Sequence, residues 1–78
     1  MLSSQTEEIV EIIYESAKQF VIDQQKVSVS LLQRRFRIGY TIATTIVDRL
    51  KEEGIVGPEK PNLHPRDVLV KEYKIGRQ

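Results

Sequence analysis

Three arginines, Arg34, Arg35 and Arg37, fall within four residues of one another. Clustered guanidinium groups release counterions when they meet a phosphate backbone, and that release dominates sequence-independent affinity for nucleic acid. Shortly after them come Thr41, Thr44, Thr45 and Asp48, spaced so that a helix would carry them on one side. Thr side chains can meet base edges or a thymine methyl, and a carboxylate can accept from a cytosine amino group. Ser28, Ser30 and Gln33 precede the arginines and can donate to phosphates. Tyr40 can place its hydroxyl on a phosphate, and Lys60, His64 and Arg66 can grip a flanking backbone or minor groove. Each set has a plainer reading. The arginines can form a solvated helix face, the serines can simply cap, and the threonines can be an indifferent polar surface. Asp48 can pair with Arg49 or Lys51, and His64 among prolines can be an ordinary exposed loop residue.

Other chemistries are poorly supplied. There is no Cys and only one His, which removes disulfide frameworks, Cys-ligated zinc, thiol catalysis and His-pair metal sites. The carboxylates Glu7, Glu8, Glu11 and Glu15 have no nucleophile or ligand set beside them and read as a solvated face. No Gly-rich nucleotide loop occurs in the 78 residues. No apolar run approaches the roughly 18 residues of a membrane span, and the N-terminus lacks a secretory pattern. A chain this short buries only a modest core. We therefore expect a non-enzymatic binding module with no cofactor, no metal and no membrane contact of its own.

The elements that must position these side chains follow from periodicity. Ser4-Gln5-Thr6-Glu7 reads as a capping box opening a first helix from about residue 7 to 23. Its apolar residues are Ile9, Ile12, Ile13, Tyr14, Ala17, Phe20 and Val21, at steps dominated by three and four, with Val10 beside the stripe. Residues 26–30 alternate and predict a short strand or extended connection. Ser30, with Gln33 three residues on, predicts the cap of a second helix facing the core with Leu31, Leu32 and Phe36. Gly39 is expected to end that helix in a left-handed conformation. A third helix runs from about residue 41 to 53 with Gly54 as its stop, and Ala43, Ile46, Val47 and Leu50 form its buried stripe. Ile55-Val56 and Val68-Leu69-Val70 then predict a hairpin whose long tip holds all three prolines. The expected fold is α+β, mainly α: three helices and a C-terminal two-stranded β-hairpin wing, a winged helix-turn-helix. We expect one domain over residues 1–78, with a core of about 6–70 and a frayed tail over 71–78.

Charge is distributed along this order. The net charge is only +1, which by itself argues against a nucleic-acid binder. Divided along the chain it becomes −4 over residues 1–25, +5 over 26–51 and zero over 52–78. The positive charge lies in the expected helix-turn-helix. The acidic first helix is expected to face away from DNA.

The segment VSLLQRRFRIGY, Val29 to Tyr40, resembles the gamma domain at the C-terminus of the FtsK/SpoIIIE DNA translocases. The Ala17-to-Val21 stretch, EEGIVGP from Glu52 to Pro58 and PRDVLV from Pro65 to Val70 extend the likeness over about residues 7–70. The resemblance implies a winged helix that binds double-stranded DNA, recognises short, oriented G-rich chromosomal sequences and guides a hexameric motor. It implies the motor as a partner, in cis or in trans, and a site-specific recombinase as a further one. It also implies a cytoplasmic location, with a separate domain anchoring full-length members to the inner membrane.

One departure falls on the reading positions. The family's recognition helix usually begins Tyr-Asn-Arg-Ala-Ala-Arg and carries a Glu further on. Its base-reading Asn, second Arg and Glu correspond to Thr41, Thr45 and Asp48, while Ile42 stands for the other Arg and Thr44 for an Ala. Arg can make a bidentate contact to guanine that Thr cannot, so a different or weaker sequence preference is expected. The alternative is a protein-docking winged helix whose exposed Thr/Ile face meets a recombinase or motor partner, with little or no DNA reading.

Overall fold

The computed structural model describes residues 4–61 and 65–71, with side chains from residue 7 onward. Helix α1 spans Ser4–Gln24, strand β1 Lys26–Val27, helix α2 Val29–Phe36, helix α3 Tyr40–Glu52 and strand β2 Arg66–Asp67. The helix thus begins at Ser4, three residues before the expected start. The side chains of the proposed capping box at residues 4–6 lie outside the described residues.

The face that α1 buries differs from the expected one. Val10, Tyr14, Ala17 and Val21 are buried, whereas Ile9 is 38% and Ile12 79% exposed. Both series have helical steps. The one through Val10 stays apolar along the helix and passes through the small Ala17, which lets α1 approach its neighbours closely. From Ile12 the same steps lead to Glu15, Ser16 and Gln19. Only one stripe can meet α3, and the unbroken one does.

Ser28, not Ser30, caps α2. Ser28 is extended, and its Oγ accepts from the Leu31 N–H at 3.1 Å. Val29 is already helical, so Ser30 sits inside the first turn and is exposed. The end of α2 also differs from expectation. The left-handed residue is Arg37, at φ 55° and ψ 49°, and the Ile38 N–H donates back to the Gln33 carbonyl at 3.2 Å. Gly39 instead adopts φ −78°, ψ 174° as the N-cap of α3, with no side chain to offer. The turn between the helices therefore places its strain on an arginine, and Gly39 is not required by its backbone angles.

Helix α3 buries Ala43, Ile46, Val47 and Leu50, as its spacing predicts. Gly54 stops it at φ +78°. The Gly54 N–H reaches the Lys51 carbonyl and the Ile55 N–H the Leu50 carbonyl, a Schellman closure. The predicted hairpin arms meet through a bridge between Val56 and Val68. Gly57 N–H to the Asp67 carbonyl and Leu69 N–H to the Ile55 carbonyl flank that bridge. Strand β1 adds on the other side of β2, antiparallel, with Lys26 opposite Asp67 and Val27 opposite Arg66. Three helices and this small antiparallel sheet make a mainly helical α+β, winged-helix-like fold. Gln25, left-handed at φ 60°, ties α1 to the segment beyond β2 by donating Nε2 to the Ile22 and Val70 carbonyls.

Candidate nucleic-acid interface

With its apolar stripe turned to the core, α3 presents Thr41 and Asp48 exposed and Thr44 and Thr45 half-buried. Both Thr44 Oγ1 and Thr45 Oγ1 donate to the Thr41 carbonyl, at 2.9 and 2.8 Å. Among the described residues Asp48 makes no ion pair. Arg49 turns the other way, 2.7 Å from Glu11 and 3.8 Å from Glu53, with its guanidinium 4.2 Å from the centre of the Tyr14 ring. The Glu11 hydrogen bond holds Arg49 charged still more firmly than an ordinary guanidinium. One of the basic residues of the central segment is thereby spent on α1.

Beside the start of α3, five of the expected contact residues converge. A cleft of about 260 Å³ is lined by Ser28, Ser30, Tyr40, Lys60 and Arg66, together with Val27, Val29 and Glu59. Local structure explains the gathering. The N-cap brings Ser28 and Ser30 to the mouth of α2, where the Val29 and Ser30 amides have no acceptor within the helix. Pairing with β1 sets Arg66 opposite Val27. A helix N-terminus with nearby cations suits a phosphate oxygen. Two carboxylates moderate the charge: Glu59 lines the cleft, and Asp67 Oδ1 sits 2.7 Å from Lys60 Nζ.

Among the described residues, the other expected phosphate contacts lie apart from this cleft. Arg34 and Arg37 are exposed on and just after α2, and Gln33 is half-buried. Arg35 stacks over Phe20 and Phe36, at 5.3 and 5.1 Å from the ring centres. Those two rings meet edge to face at 5.9 Å, so Arg35 is held against an aromatic corner of α1 and α2. His64 lies outside the described residues.

The acidic first helix is expected to face away from DNA, yet its N-terminal half borders the exposed threonine face of α3. Glu7, Glu8, Glu11 and Ile12 share an open groove with Thr45 and Arg49 of α3. Helix α3 thus shares one groove with acidic side chains of α1 and, at Tyr40, a second cleft with Lys60 and Arg66. Glu59 was missed as a cleft residue. Its position depends on packing between segments distant in sequence, which spacing alone does not determine. Behind α3, Tyr14 is 2% exposed, and burial holds its hydroxyl well above the usual phenol range. The nearby Glu53 carboxylate adds to this without reaching hydrogen-bond geometry. Among the described residues no group of His, Cys, Asp and Glu could hold a metal ion, and no helix is long and apolar enough to cross a membrane.

Residues 8–71 match the family described as the Ftsk gamma domain. The chain is 46% identical over 74 residues to the DNA translocase FtsK of Oceanobacillus iheyensis, covering 90% of this chain and 9% of that protein. It is 43% identical over 67 residues to the DNA translocase SpoIIIE of Bacillus subtilis, covering 86% of this chain and 8% of the relative. Against the DNA translocase FtsK of Staphylococcus aureus the identity is 48% over 58 residues, 74% of this chain and 7% of the relative. The chain therefore spans less than a tenth of the length of these relatives.

Proposed function

The chain belongs to the FtsK gamma domain family, and from that premise we propose that it binds double-stranded DNA and directs a DNA-translocating motor. In this reading α3 enters the major groove and offers Thr41, Thr44, Thr45 and Asp48 to the bases. Ser28, Ser30, Tyr40, Lys60 and Arg66 hold one stretch of backbone, and Gln33, Arg34, Arg35 and Arg37 meet the flanking phosphates. His64 adds a further contact to the flanking backbone in this reading.

The observation that carries this reading is the cleft beside the first turn of α3. Hydroxyls, cations and unpaired amides gather there next to an exposed polar helix face. The domain itself carries no catalysis, and the motor that uses its reading acts in cis or in trans. A site-specific recombinase is the further partner. DNA on which the motor works puts the site of action in the cytoplasm.

The substituted reading positions give this member a sequence preference different from the family's G-rich one. With a modest basic surface, one copy binds with modest affinity, and tethering or several copies supply strength. A labelled duplex titrated with the chain at low and at raised salt tests the proposal. Affinity should fall steeply with salt, by roughly 0.9 in logarithmic slope for each phosphate contacted. No binding at low salt would overturn the DNA reading and favour protein docking, for which the exposed Ile12 on α1 supplies an apolar surface.

A further inference from the structure

The hydrogen bonds within α3 constrain which bases it can read. This inference rests on the DNA reading above and extends it to sequence preference. Thr44 Oγ1 and Thr45 Oγ1 both donate to one carbonyl, that of Thr41, at 2.9 and 2.8 Å. With both hydroxyl hydrogens committed, each side chain retains a methyl group and oxygen lone pairs for a partner. Asp48, exposed one turn further on, offers carboxylate oxygens that can only accept. Arg49, the nearest strong donor in sequence, is turned to Glu11 and Glu53. The middle of the reading face therefore consists of methyls and acceptors.

Major-groove edges differ in what they offer such a surface. Guanine shows only acceptors there, N7 and O6, and meets no donor from these three residues. Thymine shows its C5-methyl, adenine its N6 amino group and cytosine its N4 amino group. Turning a Thr hydroxyl outward to serve guanine would first break its bond to the Thr41 carbonyl. Thr41 itself has an uncommitted hydroxyl hydrogen among the described residues, so the restriction applies to the next turn and a half.

We propose that Thr44, Thr45 and Asp48 make this domain a reader of thymine methyls and of adenine or cytosine amino groups, and that they select against guanine at the positions they face. The two threonine methyls do the apolar part, and Asp48 accepts the amino proton.

The test starts with selection of a site from random duplex DNA by the intact 78-residue chain, followed by single-atom changes within that site. Replacing thymine with deoxyuridine removes only the methyl, and each methyl in contact should cost about fourfold in affinity. Replacing guanine with 7-deazaguanine on the strand facing these residues should leave affinity unchanged. Thr45→Val keeps the methyl and should stay sensitive to deoxyuridine at the thymine it faces, whereas Thr45→Ser loses the methyl and should become indifferent to deoxyuridine at that one position. A site weakened by 7-deazaguanine and indifferent to deoxyuridine, or the reverse behaviour of the two variants, overturns the proposal. Equal binding to all duplexes overturns it while leaving DNA binding intact. Failure to bind any duplex at low salt overturns the DNA reading itself, and this inference with it.

Discussion

Replacing Asp67 with Asn should tighten DNA binding. Lys60 Nζ lies 2.7 Å from Asp67 Oδ1, and the two side chains are 41% and 67% exposed. An exposed pair of this kind contributes under about 1 kcal/mol to stability, so the variant should fold almost as well as the parent. Lys60 lines the cleft with Arg66, and in the free domain its charge is shared with a carboxylate. The Asp67→Asn change returns that charge to the cleft and lets one more phosphate be neutralised. Each such contact steepens the logarithmic salt dependence by about 0.9, which over a fourfold change in salt amounts to about 3.5-fold in affinity. Fluorescence anisotropy with one fixed duplex at several salt concentrations measures the slope, and a thermal melt checks the fold. An unchanged slope, or weaker binding by a well-folded variant, would refute the idea that Lys60 faces the DNA backbone.

Five further outcomes are expected. Arg34→Ala should weaken binding to all sequences alike and flatten the salt slope by about one phosphate contact, as parallel titrations of unrelated duplexes would reveal. Thr45→Arg adds a fork of donors to the reading face and should shift selected sites toward guanine; an unchanged consensus would count against contact at this position. Gly54→Ala should cost about 1–2 kcal/mol in urea unfolding, because φ +78° crowds a Cβ. Gly39→Ser should gain a few tenths of a kcal/mol by supplying the missing cap. For Tyr14 the sign follows from its raised ionisation. The folded state holds the phenol neutral, so stability is complete below pH 10.0, the ordinary tyrosine value, and falls as pH rises above it. Tyr14→Phe should remove that alkaline loss and leave stability at pH 7 unchanged or up to about 1 kcal/mol higher. Parallel alkaline losses in both proteins would show that Tyr14 is not responsible.

Legibility varied with how local the governing physics is. The α3 stripe of Ala43, Ile46, Val47 and Leu50 was readable because one helix face meets one core. The Gly54 stop was readable because few residues accept a positive φ. On α1 two apolar series competed, and periodicity could not choose between them. Spacing alone turns Ile12 inward, yet it is largely solvated. The cap at Ser28 and the left-handed Arg37 were misassigned by two residues each, since Ser28 and Ser30 offer the same hydroxyl and Gly39 is the commoner occupant of such a turn. The likeness carried by RRFRIGY identified the family from this same stretch, even though the backbone inside it bends differently from expectation.

Residue types and their order determined the element sequence, the family and the roster of polar groups available to a ligand, because helix periodicity, glycine stops and side-chain chemistry act within a few residues. Tertiary structure decided which of those groups stand together. Pairing of Lys26–Val27 with Arg66–Asp67 joins segments some forty residues apart and brings Arg66 and Lys60 to the serines of α2. Packing of α1 on α3 withdraws Arg49 to Glu11 and sets acidic side chains beside Thr45. Such placements depend on long-range packing and on the low cost of pairing charges at a partly covered surface, and neither is written in local spacing.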